Sequence, residues 1–121
     1  MRGDDDFLGV YSLDTMPYQS AVVNMQTPIK LLVNLDPKSK PGIHWIAITR
    51  LKGKGLYFDT FGRPPPPNSP IRQWLARNTV GWKYSTRVIQ DPKDDISCGY
   101  LCVKFLQQSL VWYLLTQLCK Y

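Results

Sequence analysis

Histidine is all but missing from this chain: its 121 residues contain one, His44. With one imidazole and no CxxC pair, a structural zinc site is not expected. Cysteine is scarce too. Cys98, Cys102 and Cys119 lie late in the chain, odd in number and without a spaced framework. That argues against a disulfide scaffold and suits a reducing compartment. No run reaches the ~20 apolar residues needed to span a bilayer. The nearest, Leu110 to Leu115, is short and flanked by Gln107, Gln108 and Gln117. No leader pattern opens the chain, because Met1 to Asp6 is polar and acidic and reads as a frayed arm. No internal repeat is present. Acidic residues are outnumbered 9 to 15 by lysine and arginine, giving a net charge of +6. A basic surface favours a polyanionic partner or serves solubility alone. Lys38, Lys40, Arg50, Lys52 and Lys54 cluster around one strand, but no nucleic-acid recognition motif accompanies them.

What is there suits one globular domain over residues 1–121, since hydrophobic content is 44% and charged content only 20%. Phe7 to Tyr11 is apolar and β-prone, a short edge strand, and Tyr18 to Met25 is ambiguous between helical turn and strand. Ile29 to Leu35 reads as a largely buried strand. Ile43 to Leu51 is the best strand, apolar at nearly every position as for burial on both faces. Lys52-Gly53-Lys54-Gly55 turns it back into Leu56 to Asp59, a hairpin. Four prolines, Pro64 to Pro67, form a stiff extended loop. Ser69 and Pro70 then start a helix with Ile71, Trp74, Leu75 and Asn78 on its inner face and Arg72, Gln73 and Arg77 outside. Trp82 to Gln90 reads as a third central strand. A last helix is expected from Cys98 to about Leu118, with Leu101, Cys102, Phe105, Ser109 and Trp112 on one face. Beyond Leu110 it is apolar nearly all round, as for a core element or a partner surface.

The stretch from Asp94 to Gln108 carries the chemical signal. Asp94, Asp95 and Ser97 suit a helix start, which puts Cys98 at the positive end of a helix dipole. That position favours the thiolate, the form of cysteine that attacks carbonyls. His44 in the strongest strand supplies a base. Asp59, at the end of the paired strand, can face and orient the imidazole. Gln90, at another strand end, can donate to an oxyanion together with the Cys98 N–H. Each residue alone has an ordinary explanation: a buried free cysteine, a core histidine, a turn carboxylate, a surface glutamine. Together they supply nucleophile, base, orienting acid and oxyanion donor.

Gly42-Ile43-His44-Trp45, Tyr57-Phe58-Asp59-Thr60-Phe61-Gly62, Gln90, Ser97-Cys98-Gly99 and Phe7-Leu8-Gly9-Val10-Tyr11 together resemble the adenovirus endopeptidase (adenain) family. The resemblance runs from about Phe7 to Gln108. The order histidine, acid, glutamine, Cys-Gly is shared with the wider clan that includes ubiquitin-like protein proteases. It implies an α+β papain-like fold, a central mixed sheet packed against the helix that carries the nucleophile. It implies His44 as base with Trp45 beside it, Asp59 as orienting acid, Gln90 as oxyanion residue and Cys98 as nucleophile, with no cofactor and no metal. The implied activity is limited cleavage of viral or virus-like-element precursor proteins, in host nucleus, cytoplasm or virion. The alternatives are a ubiquitin- or SUMO-like deconjugating protease and a non-enzymatic basic nucleic-acid-associated protein that retains the fold. Three features depart from the family. Its acid is glutamate where this chain has Asp59. Its activating peptide is joined through a cysteine ahead of the glutamine, and no cysteine lies between Gly81 and Gln90 here. The N-terminal helical region is short. The resemblance therefore implies protein substrates, at most weak non-specific DNA binding, and any activating peptide held without that disulfide.

Overall fold

The structure of the protein, a computed structural model, describes residues 7–18, 23–35, 44–89 and 98–107. Five strands form one mixed sheet in the order β1-β2-β3-β4-β5. They are β1 (Phe7–Ser12), β2 (Ile29–Asn34), β3 (Trp45–Leu51), β4 (Lys54–Phe58) and β5 (Gly81–Tyr84). β1 runs parallel to β2, β2–β3 and β3–β4 are antiparallel, and β4–β5 is parallel. Among the described residues two α-helices accompany the sheet, α1 (Pro70–Asn78) and α2 (Cys98–Gln107).

The near-continuous apolar character of β2 and β3 has a direct cause: both faces of the sheet are covered. Leu31, Val33, Ile46, Ile48 and Tyr57 pack with Ile71, Trp74 and Leu75 of α1. Leu32, Ala47, Leu56 and Phe58 pack with Cys102, Phe105 and Leu106 of α2. Alternate residues of one strand therefore serve different helices. α1 starts as its sequence dictates. Ser69 Oγ accepts the Arg72 N–H at 3.3 Å, and Pro70 fills the first position, where no N–H is needed. The inner face expected for this helix, Ile71, Trp74, Leu75 and Asn78, is the buried one. Arg72 departs from the expectation. It is half-buried, donates from Nε to the Pro65 carbonyl at 3.0 Å and lies 5.3 Å over the Trp82 ring.

Arg50 corrects the reading of a basic surface cluster. It is 1% exposed. Its guanidinium donates to the carbonyls of Asn78 (2.7 Å), Asn24 (2.7 Å) and Thr27 (2.9 Å). The alternation of β3 sends it beneath α1, where it caps the helix C-terminus with a cation. Burial lowers its pKa. Lys52 and Lys54 are exposed, whereas Lys38 and Lys40 lie outside the described residues.

Two strand boundaries also differ from expectation. The hairpin turn is the pair Lys52-Gly53 alone, both at positive φ (52° and 80°), the mirror-type turn that matches strand twist. Gly81 opens β5 rather than simply stopping α1. The chain leaves the sheet after Tyr84, so β5 is a four-residue edge strand and not a third central one. The parallel return through α1 can reach only the free side of β4, because β3 already occupies the other side. The ambiguous segment Tyr18 to Met25 is described only at Tyr18 and from Val23 to Met25, and those described residues carry no strand. For the last helix, Tyr100 to Gln107 bear out burial of Cys102 and Phe105, while Ser109, Trp112 and the stretch toward Leu118 lie outside the described residues. Among the described residues no helix is long and apolar enough to cross a membrane, and no cluster of three metal-ligating side chains occurs.

Candidate active site

The site is built at one end of the sheet, where β2 and β4 finish and β3 begins. His44 lies just ahead of β3 rather than inside it, held there by its carbonyl, which accepts the Leu35 N–H at 2.9 Å. Asp59 follows β4 directly. The β3–β4 register pairs Ala47 with Phe58. Continuing that antiparallel pairing outward brings residues 44 and 59–61 to the same end.

The local sequence Asp59-Thr60-Phe61-Gly62 makes the carboxylate a fixed group. The Gly62 N–H donates to the Asp59 carbonyl at 2.8 Å, closing a turn, and the Phe61 N–H donates to Asp59 Oδ1 at 2.8 Å. An aspartate at the head of a turn does this with its own backbone two residues on. The other oxygen, Oδ2, stands 3.2 Å from His44 Nε2. Asp59 is 2% exposed. Burial pushes its pKa up, but the hydrogen bond to His44, the Phe61 N–H and the charges of His44 and Arg63 outweigh burial and hold it below the ordinary value.

With Nε2 turned to Asp59, Nδ1 is the ring nitrogen left for other chemistry, and among the described residues it has no partner. The Phe61 ring stacks on the imidazole, with centroids 5.6 Å apart and planes 22° apart. Arg63, 58% exposed at its side chain, reaches back over this ring. Its Nε is 3.3 Å from Asp59 Oδ2 and its Nη2 is 3.2 Å from His44 Nε2. Sequence reasoning assigned no role to Phe61 or Arg63. The signal was present in the four-residue spacing from Asp59 to Arg63 across a glycine turn.

α2 is aimed at the same end of the sheet. Cys102, fully buried, donates its S–H to the Trp45 carbonyl at 3.3 Å, one residue from His44. The Phe105 ring stacks on Phe58, one residue from Asp59, with centroids at 4.1 Å and planes 3° apart. Leu106 is buried in the same core cluster as Cys102 and Phe105. Following α2 backwards from Phe105, stacked on Phe58, to Cys102, bonded to Trp45, therefore leads out toward His44. Cys98 opens the helix one turn beyond Cys102. Gln90 lies outside the described residues. Its neighbour Ile89 donates its N–H to the Thr60 carbonyl at 2.9 Å, which brings the chain to the turn that holds Asp59.

No protein-family model matches the sequence, and no curated protein matches it. The fold is matched by solved structures of a viral enzyme. The ASFV pS273R protease aligns with a TM-score of 0.54 at 23% identity, over 69% of this chain and 34% of that chain. A second crystal structure of the same protease aligns with a TM-score of 0.52 at 23% identity, over 69% and 33%. The chain thus spans about a third of the length of that protease. Its α+β architecture, a mixed five-stranded sheet with a helix on each face, matches the fold of that protease over the aligned part.

Proposed function

We propose that this protein is a cysteine endopeptidase of the adenain type, acting by limited cleavage of viral or virus-like-element precursor proteins. The observation that carries the reading is the His44 Nε2 to Asp59 Oδ2 contact at 3.2 Å, made by a carboxylate that its own turn holds in place. The fold shared with a viral cysteine protease and the outward run of α2 toward His44 support it. Cys98 is the nucleophile. His44 Nδ1 takes the thiol proton, and Asp59 steadies the imidazolium through Nε2–H. The thiolate attacks a peptide carbonyl, and the oxyanion is met by Gln90 and the backbone N–H groups at the start of α2. The imidazolium then protonates the leaving amine, and water releases the acyl-enzyme with His44 again as base. Protein substrates follow from this chemistry, in a reducing compartment of host cell or virion that keeps Cys98 a thiol.

The test is cleavage of a mixed peptide library rich in glycine motifs by wild type and Cys98→Ala, with and without duplex DNA. Turnover by wild type that vanishes in the variant is expected, together with labelling of Cys98 by an electrophilic peptide probe while buried Cys102 stays unlabelled. Absence of turnover with an unlabelled Cys98 overturns the reading.

A further inference from the structure

Arg63 is anchored along one edge and open along the other. Its loop is pinned on both flanks: the Gly62 N–H closes on the Asp59 carbonyl at 2.8 Å, and the Pro65 carbonyl accepts Arg72 Nε at 3.0 Å. The four prolines that follow stiffen the chain. The guanidinium lies 4.8 Å over the Phe61 ring, a cation on an aromatic face. Nε is 3.3 Å from Asp59 Oδ2, and Nη2 is 3.2 Å from His44 Nε2. With the Nε2–H of His44 directed at Asp59, Nη2 touches the ring without bonding to it. A guanidinium is a planar fork whose edges can each hold a carboxylate through two parallel N–H groups. The Nε/Nη2 edge is turned to Asp59 and His44. The Nη1/Nη2 edge has no partner among the described residues, and the side chain is 58% exposed.

Charge points the same way. The sequence contains no glutamate, and among the described residues Asp59 is the carboxylate that meets Arg63. During peptide cleavage His44 becomes an imidazolium, and one carboxylate then answers two cations. A second carboxylate on the outer edge of Arg63 restores the balance. The arginine is already ordered by Asp59 and Phe61, so little freedom is lost when that carboxylate docks.

We propose that Arg63 is a specificity-determining residue whose outer edge reads an aspartate or glutamate side chain on the leaving side of the substrate. The inference rests on the protease reading, which also fixes the side. His44 protonates the leaving amine, so the residues after the scissile bond run past His44, and Arg63 stands beside that ring. An extended peptide advances about 3.3 Å per residue, which puts the carboxylate within roughly the first three residues of the leaving segment.

The test uses peptides that the wild type cuts, all ending in an amide so that the varied side chain supplies the carboxylate. Each residue of the leaving segment is set in turn to Asp, Asn or Lys, and kcat/KM is measured for wild type, Arg63→Gln and Arg63→Glu. At one position the wild type is expected to favour Asp over Asn by about fivefold, the upper end for an exposed pair, reached through bidentate geometry. That preference is expected to vanish in Arg63→Gln and to turn toward Lys in Arg63→Glu. Each comparison is a ratio within one protein, so a general loss of rate from disturbing Asp59 cancels. No preference for Asp in the wild type, or the same preference in Arg63→Gln, overturns the proposal. Where the wild type cuts no peptide, NMR of the Cys98→Ala protein decides instead. Tripeptide amides of glycine carrying one Asp are expected to shift the Arg63 side-chain N–H signals and the imidazole signals, all of which belong to His44, and their Asn counterparts to leave both in place. That difference without any turnover means that the protease reading fails while the carboxylate site stands. Neither turnover nor a difference means that both fall.

Discussion

At the scale of single residues, the site is an aspartate made reliable by its own turn. Asp59 is buried, yet its pKa is held down, because His44, the Phe61 N–H and Arg63 together outweigh the cost of burial. A carboxyl whose folded pKa is depressed binds fewer protons in the native state than in the unfolded one through the acid range. Its stabilisation is complete above the ordinary aspartate value, about 3.9, and is lost as pH falls through the lower folded value. Asp59→Asn keeps an oxygen for the Phe61 N–H but carries no charge. Urea unfolding at pH 6 is expected to show the variant about 1.5–3 kcal/mol less stable, the usual worth of hydrogen bonds to a charged group. The gap between the two proteins is expected to be level above about pH 5 and to close as pH drops below about 4. A gap that stays constant into strong acid would show that the charge of Asp59 does no stabilising. Tyr57 behaves oppositely: burial, then the Asp59 charge, push its hydroxyl pKa up, with Arg63 opposing, so it stays neutral across this range.

At the scale of elements, the turn Asp59 to Gly62 joins fold to site, and its glycine is not replaceable. Gly62 has φ +71°, and a Cβ there would stand 2.6 Å from the Thr86 carbonyl oxygen. Both the positive φ and a collision with backbone, which cannot rotate away, oppose a side chain. Gly62→Ala is expected to cost about 1–3 kcal/mol in thermal or urea unfolding. It is also expected to separate Asp59 from His44, read as loss of the depressed Asp59 pKa by carbon-13 NMR. A variant with wild-type stability and an unshifted carboxyl would remove this turn from the argument. The sequence made much of this legible. The place of Asp59 at a strand end, the Ser69-Pro70 helix start and the buried character of β2 and β3 all rest on local chemistry that composition and spacing reveal. Arg50, the contact of Arg63 with His44 and the edge position of β5 were not legible, because each depends on long-range placement. Arg50 is basic in composition but aimed by strand alternation under α1. Arg63 meets His44 across 19 residues. β5 has the pattern of a strand but an edge position that only the crossover decides.

At the scale of the whole molecule, the two faces of the sheet carry different duties. The α1 face is structural, with Ile71 and Trp74 in its core, the Trp74 indole N–H on the Pro17 carbonyl at 3.1 Å and Arg50 closing the helix end. The α2 face carries the helix that Cys98 opens, and its contacts with Trp45 and Phe58 sit one residue from His44 and Asp59. Two substitutions of similar cost separate these duties. Ile71→Val removes one methyl from the α1 core and is expected to cost about 0.5–1.5 kcal/mol. Phe105→Leu keeps an apolar side chain but loses the stack on Phe58, and is expected to cost about 1–2 kcal/mol. Both proteins remain folded at 25 °C. Only Phe105→Leu lets α2 shift against the strand that ends in Asp59, and displacement of reacting groups by even about 1 Å lowers rates by up to about a hundredfold. Peptide cleavage, and alkylation of Cys98 as a substrate-independent readout, are therefore expected to slow at least about tenfold in Phe105→Leu and to stay within about twofold of wild type in Ile71→Val. Equal losses in both variants would mean that activity follows overall stability, and that α2 does not align Cys98 with His44.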